Sequence, residues 1–129
     1  MRAAREVATE RKDDAKRLLQ MAGGDIDAID GPIVTRAAQE GDTAAIDCFD
    51  EIGRWLGQGM ADLAAILDPG RFVVGGGVAE AGDLLLASAR DTFAHSLTGR
   101  GYRPLAEIVS ARLGNDAGLI GAADLARSD

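Results

Sequence analysis

The sequence predicts an α/β chain that is rich in helix and has few strands, and three observations lead to this prediction. Apolar residues recur at helical spacing through residues 44–67. A tight turn then leads into a short apolar strand over residues 71–74, which runs directly into three glycines at 75–77. A second helical pattern begins at Asp83. Helix, turn, strand and helix in this order form an α/β unit.

The composition restricts the class of function. With 129 residues the chain is one domain or part of one. Because 47% of the residues are hydrophobic and only 4% are aromatic, the core must be built from Ala, Leu, Ile and Val. A net charge of -7 argues against a nucleic-acid partner, since phosphate backbones are bound by clustered Lys and Arg. We therefore expect no nucleic-acid partner.

Cysteine content and hydropathy indicate the compartment. Cys48 is the single cysteine, so the chain can form neither an internal disulfide nor a cysteine cluster for zinc. No apolar run approaches the roughly 20 residues of a membrane span, and no signal peptide is visible. We expect a soluble, cytoplasmic chain without a membrane partner.

The N-terminal third is predicted to consist of short helices. A helix over residues 2–21 has only a thin apolar stripe, and a pair of glycines ends it. A second helix is predicted over residues 33–40, after Pro32, which suits a first helical turn. Because these helices bury little by themselves, we expect residues 1–41 to be peripheral to an α/β core of residues 42–129.

The long helix over residues 44–67 begins after Asp42 or Thr43, either of which can cap it. Its predicted inward face is a stripe of seven large apolar residues, widened by two more: Ile46, Phe49, Ile52, Leu56, Met60, Leu63 and Leu67, with Trp55 and Ile66. Three glycines interrupt it, each at a cost of up to about 1 kcal/mol relative to Ala: Gly53, Gly57 and Gly59. We expect a neighbouring backbone to pack closely at these glycines.

Beyond the glycine turn, residues 78–82 are predicted to be a loop and residues 83–97 a helix. The inward positions of this helix are predicted to be Leu84, Leu85, Ala89, Phe93 and Leu97. Residues 105–111 alternate partly, as in a strand near a sheet edge. Asp116 is a good N-cap for a last helix over residues 117–127, whose small residues favour tight packing on a sheet. Since two strands alone are marginal, we expect a sheet with further members outside this sequence.

The glycine turn is the candidate binding feature. Glycine lacks a Cβ, so backbone at such a turn can approach a ligand closely. In open α/β sheets, ligands lie outside the carboxyl ends of the strands, where this turn is expected. However, no Lys-Ser/Thr pair follows the glycines as in a Walker loop. From spacing alone, a tight strand-to-helix turn without a ligand is an equally good interpretation.

No catalytic or metal-binding set is predicted. Asn115-Asp116 opens the terminal helix, so capping explains Asp116 better than catalysis does. His95 has no second His or Cys beside it and is interpreted as a surface or satisfied residue. Cys48 is interpreted as a small buried hydrophobe. No Ser-His-Asp or Cys-His set can be assembled, and no carboxylate pair suggests a shifted pKa.

Three segments resemble the ROK family of sugar kinases, most closely its bacterial glucokinases: IGRWLGQGMADL (52–63), FVVGGGV (72–78) and LGNDAGLIGAA (113–123). The resemblance covers nearly the whole chain. It implies part of an actin-like, ribonuclease-H-like ATPase fold, in which two lobes hold ATP between them. The turn formed by Gly75, Gly76, Gly77 and Val78 corresponds to the family's adenosine-contacting turn.

The chain also departs from the family. It has no counterpart of the phosphate-binding Asp-x-Gly-x-Thr stretch, of the sugar-binding and catalytic Asn-Asp-x-Asn segment, or of the zinc motif with its His and Cys-x-Cys-Gly-x-x-Gly-Cys run. The resemblance therefore implies the C-terminal, nucleotide-side lobe of a glucokinase. The intact protein would use ATP with Mg to phosphorylate glucose and form a homo-oligomer, and this chain alone would be inactive.

Two alternatives stay open. The chain could be the lobe of a ROK-type, sugar-responsive transcriptional repressor, whose DNA-binding domain would precede it. It could also be a non-catalytic interaction module that pairs through an exposed sheet edge.

Overall fold

The computed structural model of the protein describes residues 2–99 and 101–127. Over these residues it contains six α-helices and two β-strands: α1 (Arg2–Glu10), α2 (Lys16–Met21), α3 (Gly31–Gln39), α4 (Thr43–Leu67), β1 (Arg71–Val74), α5 (Asp83–Ser96), β2 (Glu107–Ser110) and α6 (Ala117–Leu125). Three short 3-10 turns connect them: Ile26–Ala28, Gly77–Ala81 and Gly114–Asp116. The prediction of a helix-rich α/β chain with few strands is confirmed. Within the described residues, no helix combines the length and the apolar character that crossing a membrane requires.

Helices α4 and α5 form the centre of the fold and pack with their backbones in close approach. A Cβ atom on Gly53 would lie 2.6 Å from the carbonyl oxygen of Leu85, and one on Gly57 would overlap the carbonyl oxygen of Ala89. The predicted close approach is therefore confirmed at these two glycines. It is wrong at Gly59, where a Cβ would meet nothing within 4 Å.

The predicted inward face of α4 is largely wrong. Phe49 and Met60 are buried as expected, but Ile52, Leu63 and Leu67 are exposed, as are Trp55 (71%) and Ile66 (79%). The buried face consists mainly of small residues: Ala44, Ala45, Cys48, Phe49, Gly53, Gly57, Met60, Ala61 and Ala64. Because a helix that approaches its neighbour this closely has no room for large side chains, the large apolar residues lie on other faces.

The predicted helix over residues 2–21 is two helices. The chain turns between α1 and α2, which lets the carbonyl oxygen of Asp14 accept a hydrogen bond from Ala44 N–H at 3.1 Å. The backbone N–H of Leu18 then donates to the carboxylate of Asp42 at 2.9 Å. Asp42 also caps α4 through Ala45 N–H at 3.0 Å. One continuous helix could not dock on the start of α4 in this way.

A single buried cluster runs from Ala4 in α1 to Ile108 in β2. The largest fully buried side chains come from both halves of the chain: Phe93, Leu18, Ile29, Leu85 and Leu86. In α5 the predicted inward set packs against the core, with Leu84 half-buried, but the prediction missed Leu86, which is buried. The division into peripheral residues 1–41 and a core of residues 42–129 stays a prediction.

The two strands pair in parallel, with Phe72 opposite Ile108 and Val74 opposite Ser110. One face of this sheet is covered by α5, where the rings of Phe72 and Phe93 meet edge to face with centroids 5.8 Å apart. The guanidinium of Arg90 donates twice to the carbonyl oxygen of Ile108, at 3.0 and 3.1 Å. The predicted strand over residues 105–111 is shorter than expected.

The C-terminal end differs from its prediction. No residue described in α6 is buried, so the expected tight packing on the sheet is wrong. The side chain of Asp116 makes no capping hydrogen bond to α6. Instead, Asp116 N–H donates to Leu113 O at 3.1 Å within a 3-10 turn.

Candidate functional site

The turn after β1 has an exposed backbone and one glycine with a positive φ. Gly76 has φ +89° and ψ 173°, a conformation that residues with a Cβ rarely adopt. Gly75 and Gly77 have ordinary φ values, so their glycine identity is not required by backbone conformation. Ala79 N–H donates to Gly76 O at 3.0 Å and closes the following 3-10 turn, where a loop was predicted. The whole segment from Gly75 to Val78 is exposed, which leaves its backbone accessible to a ligand.

One side of a cleft of about 870 Å³ is formed by Gly77 and Val78 of this turn, together with Glu80. The other two predicted site residues, Gly75 and Gly76, do not line this cleft. Helices α3 and α4, with Ala3 and Ala4 of α1, form the other sides, so residues far apart in sequence meet there. The lining side chains include residues of α3 (Thr35, Arg36), α4 (Cys48, Phe49, Glu51, Trp55) and the segment after β1 (Val78, Glu80). The sequence predicted the turn but not the cleft.

The cleft combines apolar surface with three charged side chains. Phe49 and Trp55 supply aromatic surface on α4. Arg36, Glu51 and Glu80 line the same space, and among the described residues none of the three side chains has a hydrogen-bonding or ion-pair partner. Ligand sites characteristically have mostly apolar walls and a few convergent polar groups. The cleft has that composition.

Cys48 is buried, as predicted, and it also contacts the cleft. Burial raises the pKa of its thiol, and the nearby carboxylates of Glu51, Asp47 and Asp42 raise it further. A thiol in this environment stays protonated at neutral pH. It therefore contributes a small apolar surface to the cleft and no nucleophile.

The remaining candidate residues lie outside the cleft. His95 is exposed on α5, and its Nδ1 lies 2.8 Å from the carbonyl oxygen of Asp91 and 3.4 Å from the carboxylate of Asp91. This agrees with its interpretation as a surface residue. Asp116 is exposed in the 3-10 turn before α6 and does not line the cleft. Within residues 2–99 and 101–127, no group of three or more His, Cys, Asp or Glu is arranged to hold a metal ion.

A chemical signal for the cleft was present in the sequence. Gly53 and Gly57 are one turn apart, so they mark the face of α4 that contacts α5. Ile52 and Trp55 lie away from that face and must contact something else or stay exposed. The part played by α3 could not be found in this way, because Thr35 and Arg36 are about 40 residues away from the turn in sequence.

Comparison with known proteins identifies the family. The ROK family profile matches residues 14–129. The chain belongs to the ROK family. A glucokinase from Streptomyces coelicolor is 43% identical over 127 residues, which are 98% of this chain and 40% of that protein. A glucokinase from Halalkalibacterium halodurans is 39% identical over 120 residues, 93% of this chain and 35% of that protein.

The fold of this ROK chain corresponds to that of a solved relative. A ROK glucokinase from Streptomyces griseus, crystallised with glucose and AMPPNP, superposes with a TM-score of 0.94 at 44% identity. The match covers 99% of this chain and 41% of the relative. The expectation of part of an actin-like ATPase fold is thereby confirmed. The chain spans about two fifths of the length of the relatives it matches.

Proposed function

We propose that this chain is the nucleotide-side lobe of a glucokinase, which in its full-length form phosphorylates glucose with ATP. The observation that carries the proposal is the cleft lined by Gly77 and Val78, directly after Gly75 and Gly76, in a chain of the ROK family. The glucokinase name of the Streptomyces coelicolor relative and the AMPPNP complex of the Streptomyces griseus relative support it.

In this proposal the cleft holds the adenosine part of ATP. The apolar surface of Phe49 and Trp55 suits a planar base, because aromatic rings and bases share apolar, polarizable faces. The turn after β1 is exposed, which leaves the backbone of Gly77 uncovered at the cleft. Gly77 and Val78 then contact the nucleoside with backbone and a short apolar side chain.

The chain by itself is proposed to bind nucleotide without transferring a phosphoryl group. Transfer needs a base that orients the nucleophile, a phosphate clamp and magnesium. The described residues offer no cluster suited to a metal ion, and the cleft contains no base placed against a nucleophile. Those groups, and the glucose contacts, are assigned to the part of a full-length ROK glucokinase that this chain does not match.

Two measurements test the proposal. Isothermal titration of the 129-residue chain with adenosine, ADP and ATP should give one site, with adenosine contributing most of the affinity. A coupled assay for glucose 6-phosphate on the same preparation should give no turnover above background. Absence of nucleotide binding would contradict the binding role. Robust turnover would contradict the proposal that the groups needed for phosphoryl transfer lie outside this chain.

The lobe of a sugar-responsive repressor makes the opposite prediction. Such a lobe would respond to sugar in the full-length protein, and its cleft would not need to recognise ATP. The glucokinase names of the matched relatives favour the kinase. A chain that fails to bind adenosine, ADP and ATP would favour the repressor lobe.

A further inference from the structure

We propose that Glu80 recognises the ribose of the bound nucleotide by accepting hydrogen bonds from its hydroxyl groups. The cleft would then prefer ribonucleosides to deoxyribonucleosides. This inference rests on the proposed function, since it assigns a role within the same cleft.

The position of Glu80 is fixed by its neighbours. It lies in the 3-10 turn Gly77–Ala81, which directly follows the exposed glycines and lines the cleft. Ala79 and Ala81, on either side of it, are both buried. Gly82 N–H donates to Ala79 O at 3.0 Å and holds the end of this turn. Since both flanking side chains are buried, the backbone of Glu80 is held in place and its side chain starts from the side of the cleft.

The carboxylate of Glu80 is also chemically available. Among the described residues it makes neither a hydrogen bond nor an ion pair, although Arg36 lines the same cleft. By contrast, Arg71 pairs with Glu107 at 2.6 Å and Arg90 with Asp83 at 2.8 Å on the surface nearby. The structure therefore leaves an acceptor without a donor beside the proposed nucleoside site.

The chemistry of a nucleotide decides which of its groups this acceptor can bind. An ionised carboxylate only accepts hydrogen bonds, so it cannot pair with phosphate oxygens and repels their charge. The donors of adenosine are the ribose hydroxyls and the amino group of the base. Glu80 belongs to the 3-10 turn that follows the glycines, whereas Glu51 belongs to α4, which also carries the Phe49 and Trp55 surface assigned to the base. Ribose, which links base to phosphates, is the donor that fits the position of Glu80.

The test compares adenosine with 2′-deoxyadenosine, 3′-deoxyadenosine and purine riboside, which lacks the amino group. Dissociation constants are measured by isothermal titration on the 129-residue chain. Hydrogen bonds to charged groups are strong enough that loss of one hydroxyl should weaken binding by about tenfold or more. If Glu80 does not bind the amino group, the ratio of the dissociation constants of purine riboside and adenosine should be the same for the Glu80→Ala variant and the wild type.

Three variants make the assignment specific. Glu80→Ala should weaken adenosine binding by about tenfold or more and remove the preference over both deoxynucleosides. Glu80→Gln keeps one acceptor oxygen without the charge, so its preference should be intermediate. Glu10→Ala removes an exposed carboxylate on α1, away from the cleft, and should behave as wild type. Unchanged thermal unfolding of Glu80→Ala would show that the turn is intact.

Several results would overturn the inference. Equal affinity of the wild-type chain for adenosine and both deoxynucleosides would remove its basis while leaving the proposed function standing. If the preference for adenosine over the deoxynucleosides persists in Glu80→Ala but disappears in Glu51→Ala, then Glu51 binds the ribose and Glu80 does not. If no nucleoside or nucleotide binds at all, the proposed function fails and this inference falls with it.

Discussion

The buried carboxylate of Asp42 accepts a hydrogen bond from the backbone N–H of Leu18 at 2.9 Å, across 24 residues of sequence. Its other oxygen accepts from Ala45 N–H at 3.0 Å and caps α4. One side chain, only 5% exposed, thus satisfies N–H groups in the first turns of two helices. Asp42 thereby fixes α2 against the start of the helix that forms one side of the cleft.

Replacement of Asp42 by Ala should be strongly destabilising. It leaves two backbone donors without partners in a buried place, so we expect a loss of about 2–4 kcal/mol in the free energy of unfolding. Asp30→Ala is the matched control, because Asp30 caps only α3, through Ile33 N–H at 2.9 Å, and should cost about 1 kcal/mol. Urea unfolding of both variants measures the difference. Equal losses would show that the bond to Leu18 contributes nothing.

The close packing of α4 on α5 predicts an asymmetry between two glycines on the same helix. A methyl group on Gly57 would overlap the carbonyl oxygen of Ala89, so Gly57→Ala should destabilise the chain by about 2–4 kcal/mol through forced separation of the helices. Gly59→Ala meets nothing within 4 Å and should stabilise α4 by up to about 1 kcal/mol through helix propensity. Thermal and urea unfolding measure both effects. A tolerated Gly57→Ala would contradict the close approach.

Two glycines of the turn should respond differently to substitution, because Gly76 is needed for backbone conformation and Gly77 is proposed to contact the ligand. Gly76→Ala forces a side chain into a conformation with φ +89°, at a cost of about 1–3 kcal/mol in stability. Gly77 has an ordinary φ and open space at its Cβ position, so Gly77→Ala should leave the free energy of unfolding nearly unchanged. If a nucleoside packs against this backbone, Gly77→Ala should still weaken adenosine binding by about tenfold, which titration calorimetry would detect. Unaltered affinity would place the nucleoside elsewhere in the cleft.

The thiol of Cys48 predicts how stability changes at alkaline pH. Burial raises its pKa above the ordinary value of about 9, so the unfolded chain loses this proton at lower pH than the folded chain does. The stabilisation from the protonated thiol is complete below the unfolded pKa and is lost as pH rises through the folded pKa. Wild type should therefore lose stability relative to Cys48→Ala above about pH 9. A constant difference between the two proteins from pH 7 to 10 would contradict the raised pKa.

The rate of alkylation of Cys48 should report on occupancy of the cleft. Its alkylation by iodoacetamide at pH 8 should be slow, because the thiol is buried and protonated. Adenosine should slow it further if the nucleoside occupies the cleft that Cys48 lines. Rapid alkylation at a rate that adenosine does not change would contradict both the protection of the thiol and the position of the nucleoside.

Local signals in the sequence were sufficient for the boundaries of the central elements. Asp42 caps α4 as predicted, and the turn at residues 68–70 ends the helix and starts β1. These signals succeed because capping and turn formation depend on neighbouring residues. The class of fold follows from the order of such elements.

The buried face of α4 is indicated only by the spacing of Gly53 and Gly57, and the contribution of α3 to the cleft required information that no local pattern contains. Counting large apolar residues favoured Ile52 and Trp55 as core residues, but both are exposed. The buried face has small side chains because the backbones of α4 and α5 approach closely at Gly53 and Gly57. The break between α1 and α2 likewise depends on Asp42, which lies beyond both helices. The cleft needs the placement of α3 beside the turn after β1, which is a property of the tertiary structure.

The exposure of Trp55 gives the unlabelled protein its own spectroscopic reporter. Trp55 is the single tryptophan of the chain and lines the cleft while 71% of it remains in water. The intrinsic emission of the protein therefore originates at the candidate site, at the long wavelengths of a hydrated indole. Unfolding changes that emission little, whereas a base stacked against the indole would quench it and shift it to the blue. Fluorescence would thus follow occupancy of the cleft almost independently of the folding transition.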